Sequence, residues 1–365
     1  MDLLRAAVIG RTGRGDYGHG LDLVWQDLPG VQLVAVADDD KVGLAATAKK
    51  LKVDKAFADY RQMFDQVKPQ VVSIGPRWVD QHRDMVVAAA ERGIHVYLEK
   101  PLCRTLAEAD EMVAACERTH TKLAVAHPTR HSPRIPVIKE LIAKGKIGRI
   151  LELRGRGKED QRGGSEDLWV LGTHIMDLIR LFGGEPTWCF GGVNKAGRPI
   201  AKSDLAEGAE GLGPLAGDAV SAMYGMGGSA TAYFASHRNA SGNRPRFALQ
   251  IFGSDGILEL TTGYLPSVKY LADPSWSPGQ SGARWENVTS AGLGKPEPLA
   301  GKDEAANRQA VLELLAAIRE NRQPVGSIYD GRAAVEMIVA VFESQRLGKP
   351  AEFPLANRQN PLTML

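Results

Sequence analysis

Four glycines, Gly10, Gly13, Gly15 and Gly18, punctuate the stretch that follows the apolar run Leu4–Gly10. A strand, a glycine-rich loop and a helix in that order present backbone N–H groups and a helix N-terminus to a pyrophosphate. The G-x-G-x-x-G spacing is met by Gly13, Gly15 and Gly18, but that register begins three residues beyond the apparent strand end. Counted from Gly10 the pattern becomes G-x-T-x-x-G, with Thr12 where a second glycine usually stands. The loop is therefore expected to be longer or differently bent than usual. Asp38 closes a second apolar run, Val31–Ala37, at 20 residues past Gly18, where an acid can bind a ribose 2′-hydroxyl. Together with Asp39 and Asp40 it would repel a 2′-phosphate, which favours NAD over NADP. Arg11 and Arg14 weigh on the other side, since either could reach a phosphate. A further short strand, Ile94–Leu98, runs into Glu99-Lys100-Pro101. Ligands of open parallel sheets bind beyond the carboxyl ends of the strands, so Lys100 is expected to point into that crevice.

These residues need a scaffold, and the pattern around them supplies one. Leu4–Gly10, Val31–Ala37, Val71–Gly75, Ile94–Leu98 and Lys122–Ala126 are short apolar runs. Between them Leu21–Leu28, Lys41–Leu51, Arg83–Arg92 and Leu106–Thr119 read as helices. Strands of that kind alternating with helices make a parallel sheet covered on both faces, an α/β doubly wound Rossmann domain over residues 1–125. Past Ile150 the pattern changes. Leu151–Arg156, Ser221–Ser236, Pro245–Leu260 and Pro266–Ala272 are β-rich and joined by glycine turns. They predict an α+β domain over 126–365, built on a large, mostly antiparallel open sheet. One helix is inserted near Gly172–Phe182, and Glu304–Asn321 and Tyr329–Leu347 close the chain; Asp273–Lys302 reads as a long surface loop.

Composition removes several classes. The 365 residues are 44% hydrophobic and 24% charged, enough to bury a large core and too apolar for disorder. Lys plus Arg number 45 against 43 acids, a net charge of +2, without the basic surplus of a non-specific nucleic-acid binder. No apolar run approaches the roughly 18 residues of a membrane span, and the opening MDLLRAAVIG holds no secretory segment. Cys103, Cys116 and Cys189 have neither metal-ligand spacing nor even number. A soluble cytoplasmic protein without nucleic-acid or membrane partners is expected.

In this setting the chain resembles the glucose–fructose oxidoreductase / inositol dehydrogenase (Gfo/Idh/MocA) family over nearly its whole length. The resemblance is carried by the glycine loop, Pro76 followed by His82, the run ERGIHVYLEKPL, and the segment ELIAKGKIGRI. It continues in H-x-x-D at His174 and Asp177, and in the terminal helix with Ser344 and the phrase LGKPAEFP. It implies that Lys100 lies near the nicotinamide and the substrate hydroxyl, and that His174 acts in proton transfer. That chemistry is coherent: oxidising a secondary alcohol needs a base for the hydroxyl proton while hydride leaves, and a lysine cation stabilises the forming alkoxide. Cofactor contacts are implied for Gly10, Arg11, Thr12, Gly13, Gly15, Asp38, Pro76, His82, Glu99, Lys100 and Arg130. Family dehydrogenases usually carry an aspartate four residues before the histidine, a position held here by Val170. Asp167, Asp160 or Glu159 could take over its role, or Lys100 and His174 could act without it.

Arg154–Asp167 is densely charged, and Lys158, Glu159 and Asp160 are plausible contacts for a polyhydroxylated or acidic sugar. Asn243, Arg244 and Arg246, and the rings of Trp78, Trp169 and Trp276, could also meet a sugar, although core packing or loop anchoring is the commoner fate of a tryptophan. Asp177 is near enough to His174 to pair with it or to hold a substrate hydroxyl. No second His or Cys spacing supports a metal site. The expected function is an NAD-dependent oxidoreductase acting on a secondary alcohol of a sugar, sugar acid, polyol or glycoside. Two alternatives stand beside it: a redox-neutral glycosidase or lyase that retains NAD, and a non-catalytic dinucleotide sensor. The resemblance further implies a homodimer or homotetramer.

Overall fold

The computed structural model describes residues 3–242, 246–301 and 306–365. The chain divides into two units. The first takes the residues up to Ala126, Glu207–Gly213 and Asn307–Val335; the second takes His127–Ala206, Pro214–Ala306 and Glu336–Leu365.

The first unit is built on six strands, β1 (Leu4–Ile9), β2 (Val31–Ala37), β3 (Ala56–Phe57), β4 (Val71–Ile74), β5 (His95–Leu98) and β6 (Leu123–Val125). All pair in parallel, in the order β3-β2-β1-β4-β5-β6. That is the doubly wound nucleotide-binding order, with its reversal between β1 and β4. Helices α1 (Lys41–Leu51), α2 (Tyr60–Val67), α3 (His82–Ala90) and α4 (Leu106–Thr119) connect the strands. Asp40 and Thr105 cap α1 and α4 by accepting from Gly43 N and Glu108 N, and left-handed residues Lys52 and His120 end them.

One expected element is different. Leu21–Leu28 is a chain of turns rather than a helix. Asp27 (φ 54°) is left-handed inside that span, and Gly18 (φ 62°) and Gly20 (φ 82°) are left-handed just ahead of it, so helix neither enters from the glycine loop nor runs through to Leu28. The apolar spacing nevertheless does its packing work. Leu21, Val24, Trp25 and Leu28 are buried against Ala6, Val8 and Val71 of the sheet and Ala310, Val311 and Leu314 of the helix Ala306–Arg319. Trp25 Nε1 donates to Ser73 Oγ at 3.1 Å, and Ser73 Oγ to Leu21 O at 2.8 Å. The expected helix from Glu304 begins at Ala306, Glu304 itself lying outside the described residues.

In the second unit α5 (Arg134–Ala143) precedes β7 (Ile150–Arg156), then come α6 (Ser165–Val170), α7 (Gly172–Gly183) and β8 (Pro186–Lys195). The strands Ala219–Met226, Thr231–His237, Ala248–Gly253, Ile257–Thr261, Val268–Leu271 and Glu286–Thr289 complete a broad sheet. Its pairs are antiparallel except for β7 beside Thr231–His237. Asp273–Lys302 is thus not all loop: it holds the strand Glu286–Thr289 and a helical turn at Pro278–Ser281, while Lys302 lies outside the described residues. β8 went unread because its Gly191 and Gly192 dilute the strand pattern. Gly191 is there for clearance, since a Cβ would lie 2.8 Å from Val341 Cγ1. Helices cover that face of the sheet: Ile175 of α7 packs over Gly155, and Tyr224 donates to Met337 O at 3.0 Å. The opposite face carries Arg154, Ser221, Tyr233, Gln250 and Glu259 around a hollow of about 750 Å³, and exposes Phe190.

Candidate functional site

The topological reversal puts the ends of β1 and β4 side by side, and each expected cofactor contact of the first unit lies near them. Gly13, Gly15 and Gly18 all have positive φ. Gly18 is the most constrained, because a Cβ would lie 2.4 Å from Gly75 O and 2.5 Å from Glu99 Oε2. Gly10 lies under the Tyr17 ring, where a Cβ would come within 2.2 Å. No helix follows the loop, and most of its N–H groups are bonded internally: Arg11 N to Asp16 O, Arg14 N and Asp16 N to Arg11 O, Thr12 N to Asp38 and Gly13 N to Asp16 Oδ1.

Asp38 is buried at the end of β2. Its carboxylate accepts from Thr12 N at 3.1 Å, Thr12 Oγ1 at 2.7 Å and Asp40 N at 3.0 Å. Thr12 is therefore what orients this acid. A cavity of about 190 Å³ opens beside it, lined by Gly10, Arg11, Asp38, Asp39, Tyr60, Arg61 and Gln81. An acid of fixed orientation in a cavity at the end of β2 fits a ribose, so these residues suit a dinucleotide. Arg11 Nη1 donates to Asp80 Oδ1 at 3.0 Å, and the Arg14 guanidinium lies 4.5 Å above the Trp78 ring.

At the end of β5, Glu99 and Lys100 are both buried. Glu99 Oε2 accepts from His19 N at 3.2 Å and pairs with His19 Nδ1 at 3.1 Å. Burial alone would raise the Glu99 carboxyl, but the His19 hydrogen bond and the Lys100 charge hold it below its ordinary value. His82 is fully buried, with Nε2 at 2.7 Å from Pro76 O and Nδ1 at 3.0 Å from Pro101 O. It ties the turn after β4 to the turn that carries Lys100.

The second unit holds the histidine cluster. His174 lies in the first turn of α7, and Asp177 one turn on is buried. Asp177 Oδ2 accepts from Arg130 Nε at 2.8 Å, and Oδ1 stands 3.4 Å from His127 Nδ1. Burial would raise the Asp177 carboxyl; the Arg130 and His127 charges win and hold it far below the usual range. His127 Nε2 is 3.3 Å from Thr173 Oγ1, and its ring meets the His174 ring edge to face at 5.5 Å. His127 escaped sequence reasoning, because its partners lie some fifty residues away and only folding joins them. Arg130, expected at the cofactor, is joined to Asp177.

The carboxylates offered in place of Val170 serve other contacts. Val170 is buried at the end of α6, and Leu171, at ψ −36° and φ −113°, separates that helix from α7. Asp167 Oδ2 accepts from Glu159 N at 3.0 Å and from Ser236 Oγ at 2.5 Å, and burial raises its pKa. Glu159 is buried, accepting from His237 N at 3.0 Å and pairing with Arg156 and Arg246. Asp160 is held down to about 2 by its hydrogen bonds with Arg162. Trp169 is core, and Trp276 packs on Phe252 at 5.0 Å. Asn243 and Arg244 lie outside the described residues. Among the described residues no three His, Cys, Asp or Glu side chains are placed to hold a metal ion, and no helix is long and apolar enough to cross a membrane.

Comparison with known proteins agrees with this geometry. Residues 4–127 match the description "oxidoreductase family, NAD-binding Rossmann fold", and residues 136–259 match the GFO/IDH/MocA C-terminal domain. The D-apiose dehydrogenase of Paraburkholderia graminis is 26% identical over 353 residues, 92% of this chain and 87% of that protein. The levoglucosan dehydrogenase of Pseudarthrobacter phenanthrenivorans is 28% identical over 63% of this chain and 65% of its own length. A solved levoglucosan dehydrogenase in complex with NADH and L-sorbose superposes with a TM-score of 0.76 at 22% identity, covering 97% of this chain and 100% of that one.

Proposed function

The chain belongs to the GFO/IDH/MocA family of NAD-binding oxidoreductases, and from that membership we propose that it moves hydride between NAD and a secondary alcohol of a sugar, sugar acid, polyol or glycoside. The observation that carries the reading is Lys100, 4% exposed at the carboxyl end of β5 in a sheet of nucleotide-binding order. A lysine withdrawn from water at that place is suited to polarising a hydroxyl. The named relatives, dehydrogenases of D-apiose and of levoglucosan, support a carbohydrate substrate.

The chemistry NAD supplies when bound is acceptance of hydride from carbon. The first unit would hold the dinucleotide, with the glycine loop Gly10–Gly18 against its pyrophosphate and Asp38 at a ribose hydroxyl. Lys100 stabilises the developing alkoxide, and His174 receives the hydroxyl proton. Asp177, held ionised by Arg130, keeps a fixed negative charge beside the histidine pair. Substrate contacts belong to the second unit. A second copy of the chain covers the polar sheet face around Arg154 and Tyr233, and a light-scattering mass of a monomer overturns that assignment. The three buried, unpaired cysteines suit the reducing cytoplasm.

The test is NAD reduction followed by absorbance, with D-apiose and levoglucosan as first substrates. At least one should yield NADH, and Lys100→Ala should lower the rate by about a hundredfold or more. Failure to bind NAD at all overturns the reading. Interconversion of a glycoside without net NADH, on cofactor already carried by the protein, would move it to redox-neutral chemistry.

A further inference from the structure

The three consecutive acids after β2 do three different things. Asp38 lies in the cavity wall, oriented by Thr12. Asp40 caps α1, accepting from Gly43 N at 2.7 Å. Asp39 reaches back to Arg11, its Oδ2 accepting from Arg11 Nε at 3.4 Å. Arg11 is also held from the other side. Its Nη1 donates to Asp80 Oδ1 at 3.0 Å and Oδ2 at 3.2 Å, from the turn Val79–Gln81 after β4. The Arg11 side chain is 9% exposed, its guanidinium held between two carboxylates on the wall of the cavity that also holds Asp38.

A phosphate on the ribose 2′ position would enter beside Asp38 and needs a cation free to meet it. Arg11 is the glycine-loop cation on that wall; Arg61, also on it, lies over the Tyr60 ring at 4.5 Å. A guanidinium already bonded to two acids offers a phosphate little net charge, and the acids themselves repel a dianion. Arg14 is stacked on Trp78 and does not line the cavity. We propose that Asp80 and Asp39 form a specificity latch, withholding Arg11 from a 2′-phosphate, so that the choice of NAD over NADP rests on Asp80 as well as on Asp38. Asp80, on the far side of the dinucleotide crevice from β2, is a position at which the order of the sequence alone signals nothing about cofactor choice. The inference rests on the NAD-dependent reading above and names a selectivity determinant within it.

Titration of the purified protein with NAD and with NADP, by calorimetry, tests it without any substrate. The native chain should favour NAD. Asp39→Asn with Asp80→Asn should tighten NADP binding by at least about tenfold while changing NAD by less than about threefold. Adding Arg11→Ala to that pair should remove the gain. Asp39→Asn alone, on a side chain 56% exposed and safe for folding, should give a smaller gain of the same sign. A gain that persists without Arg11, or an NADP-to-NAD ratio unmoved by either variant, overturns the latch. A native chain that binds neither dinucleotide overturns the functional reading itself, a separate and recognisable result.

Discussion

Asp177 shows how much of the site depends on one buried charge. Its carboxylate neutralises Arg130 at 2.8 Å and faces His127 at 3.4 Å, all three side chains being at most a tenth exposed. Removing one partner of such a cluster strands the others without compensation. Asp177→Asn should therefore cost about 3–5 kcal/mol in urea unfolding at neutral pH, and a loss below about 1 kcal/mol would mean the cluster is solvated. Asp177 and His174 were readable because they share a helix and sit three residues apart. The cluster around them was not, since Arg130 to Asp177 spans 47 residues and His127 carries no local signature. The internal contacts of Asp167 and Glu159 were hidden for a related reason. A charged run looks like solvent-facing or substrate-facing surface, yet Ser236, His237 and Arg246 turn these two acids into internal anchors.

The glycine loop makes the same point for elements. The period of Leu21, Val24, Trp25 and Leu28 correctly marked a buried face, and helix was the natural reading of it. The backbone departs from helix there: Asp27 has positive φ within the span, and Gly18 and Gly20 have it just ahead. β1, β2, β4, β5, α1 and α4 follow the sequence closely, α1 and α4 within their expected bounds, since capping residues and apolar period agree there, whereas β3 and α2 carried no expectation. Two substitutions separate conformation from space within the loop. Gly13 has φ 78° and nothing within 4 Å of its Cβ position, so Gly13→Ala should cost only backbone strain, about 1–2 kcal/mol. Gly18→Ala adds a collision with Gly75 O and Glu99 Oε2. It should be the worse of the two by at least about 1–3 kcal/mol, and should also loosen the Lys100 turn. Equal melting temperatures for the two variants would remove the close approach as the reason for glycine at 18.

At the scale of the whole molecule, the buried acids set how stability responds to pH, and they do not all act in one direction. Glu99 and Asp177 have folded pKa values below their ordinary ones. Their stabilisation is present above the unfolded carboxylate range, near ~4, and is lost as pH falls through the folded values. Asp167 is raised by burial, so its contribution is greatest below that range and is lost as pH rises through its folded value. The native protein should hold a steady urea midpoint near neutrality and lose stability steeply below about pH 4. The two aspartates can be told apart by the sign of their slopes. The deficit of Asp177→Asn relative to the native chain should shrink as pH drops from 7 to 3, because the unfolded native chain takes up a proton at this aspartate while the folded carboxylate stays ionised, which lowers the native chain's advantage. The deficit of Asp167→Asn should grow over the same interval, because the native acid becomes neutral and comfortable in its buried place beside Ser236. Urea unfolding of the three proteins at pH 3, 5 and 7 measures both slopes at once. Deficits that run parallel would show that acid sensitivity comes from net charge spread over the surface rather than from these buried carboxylates.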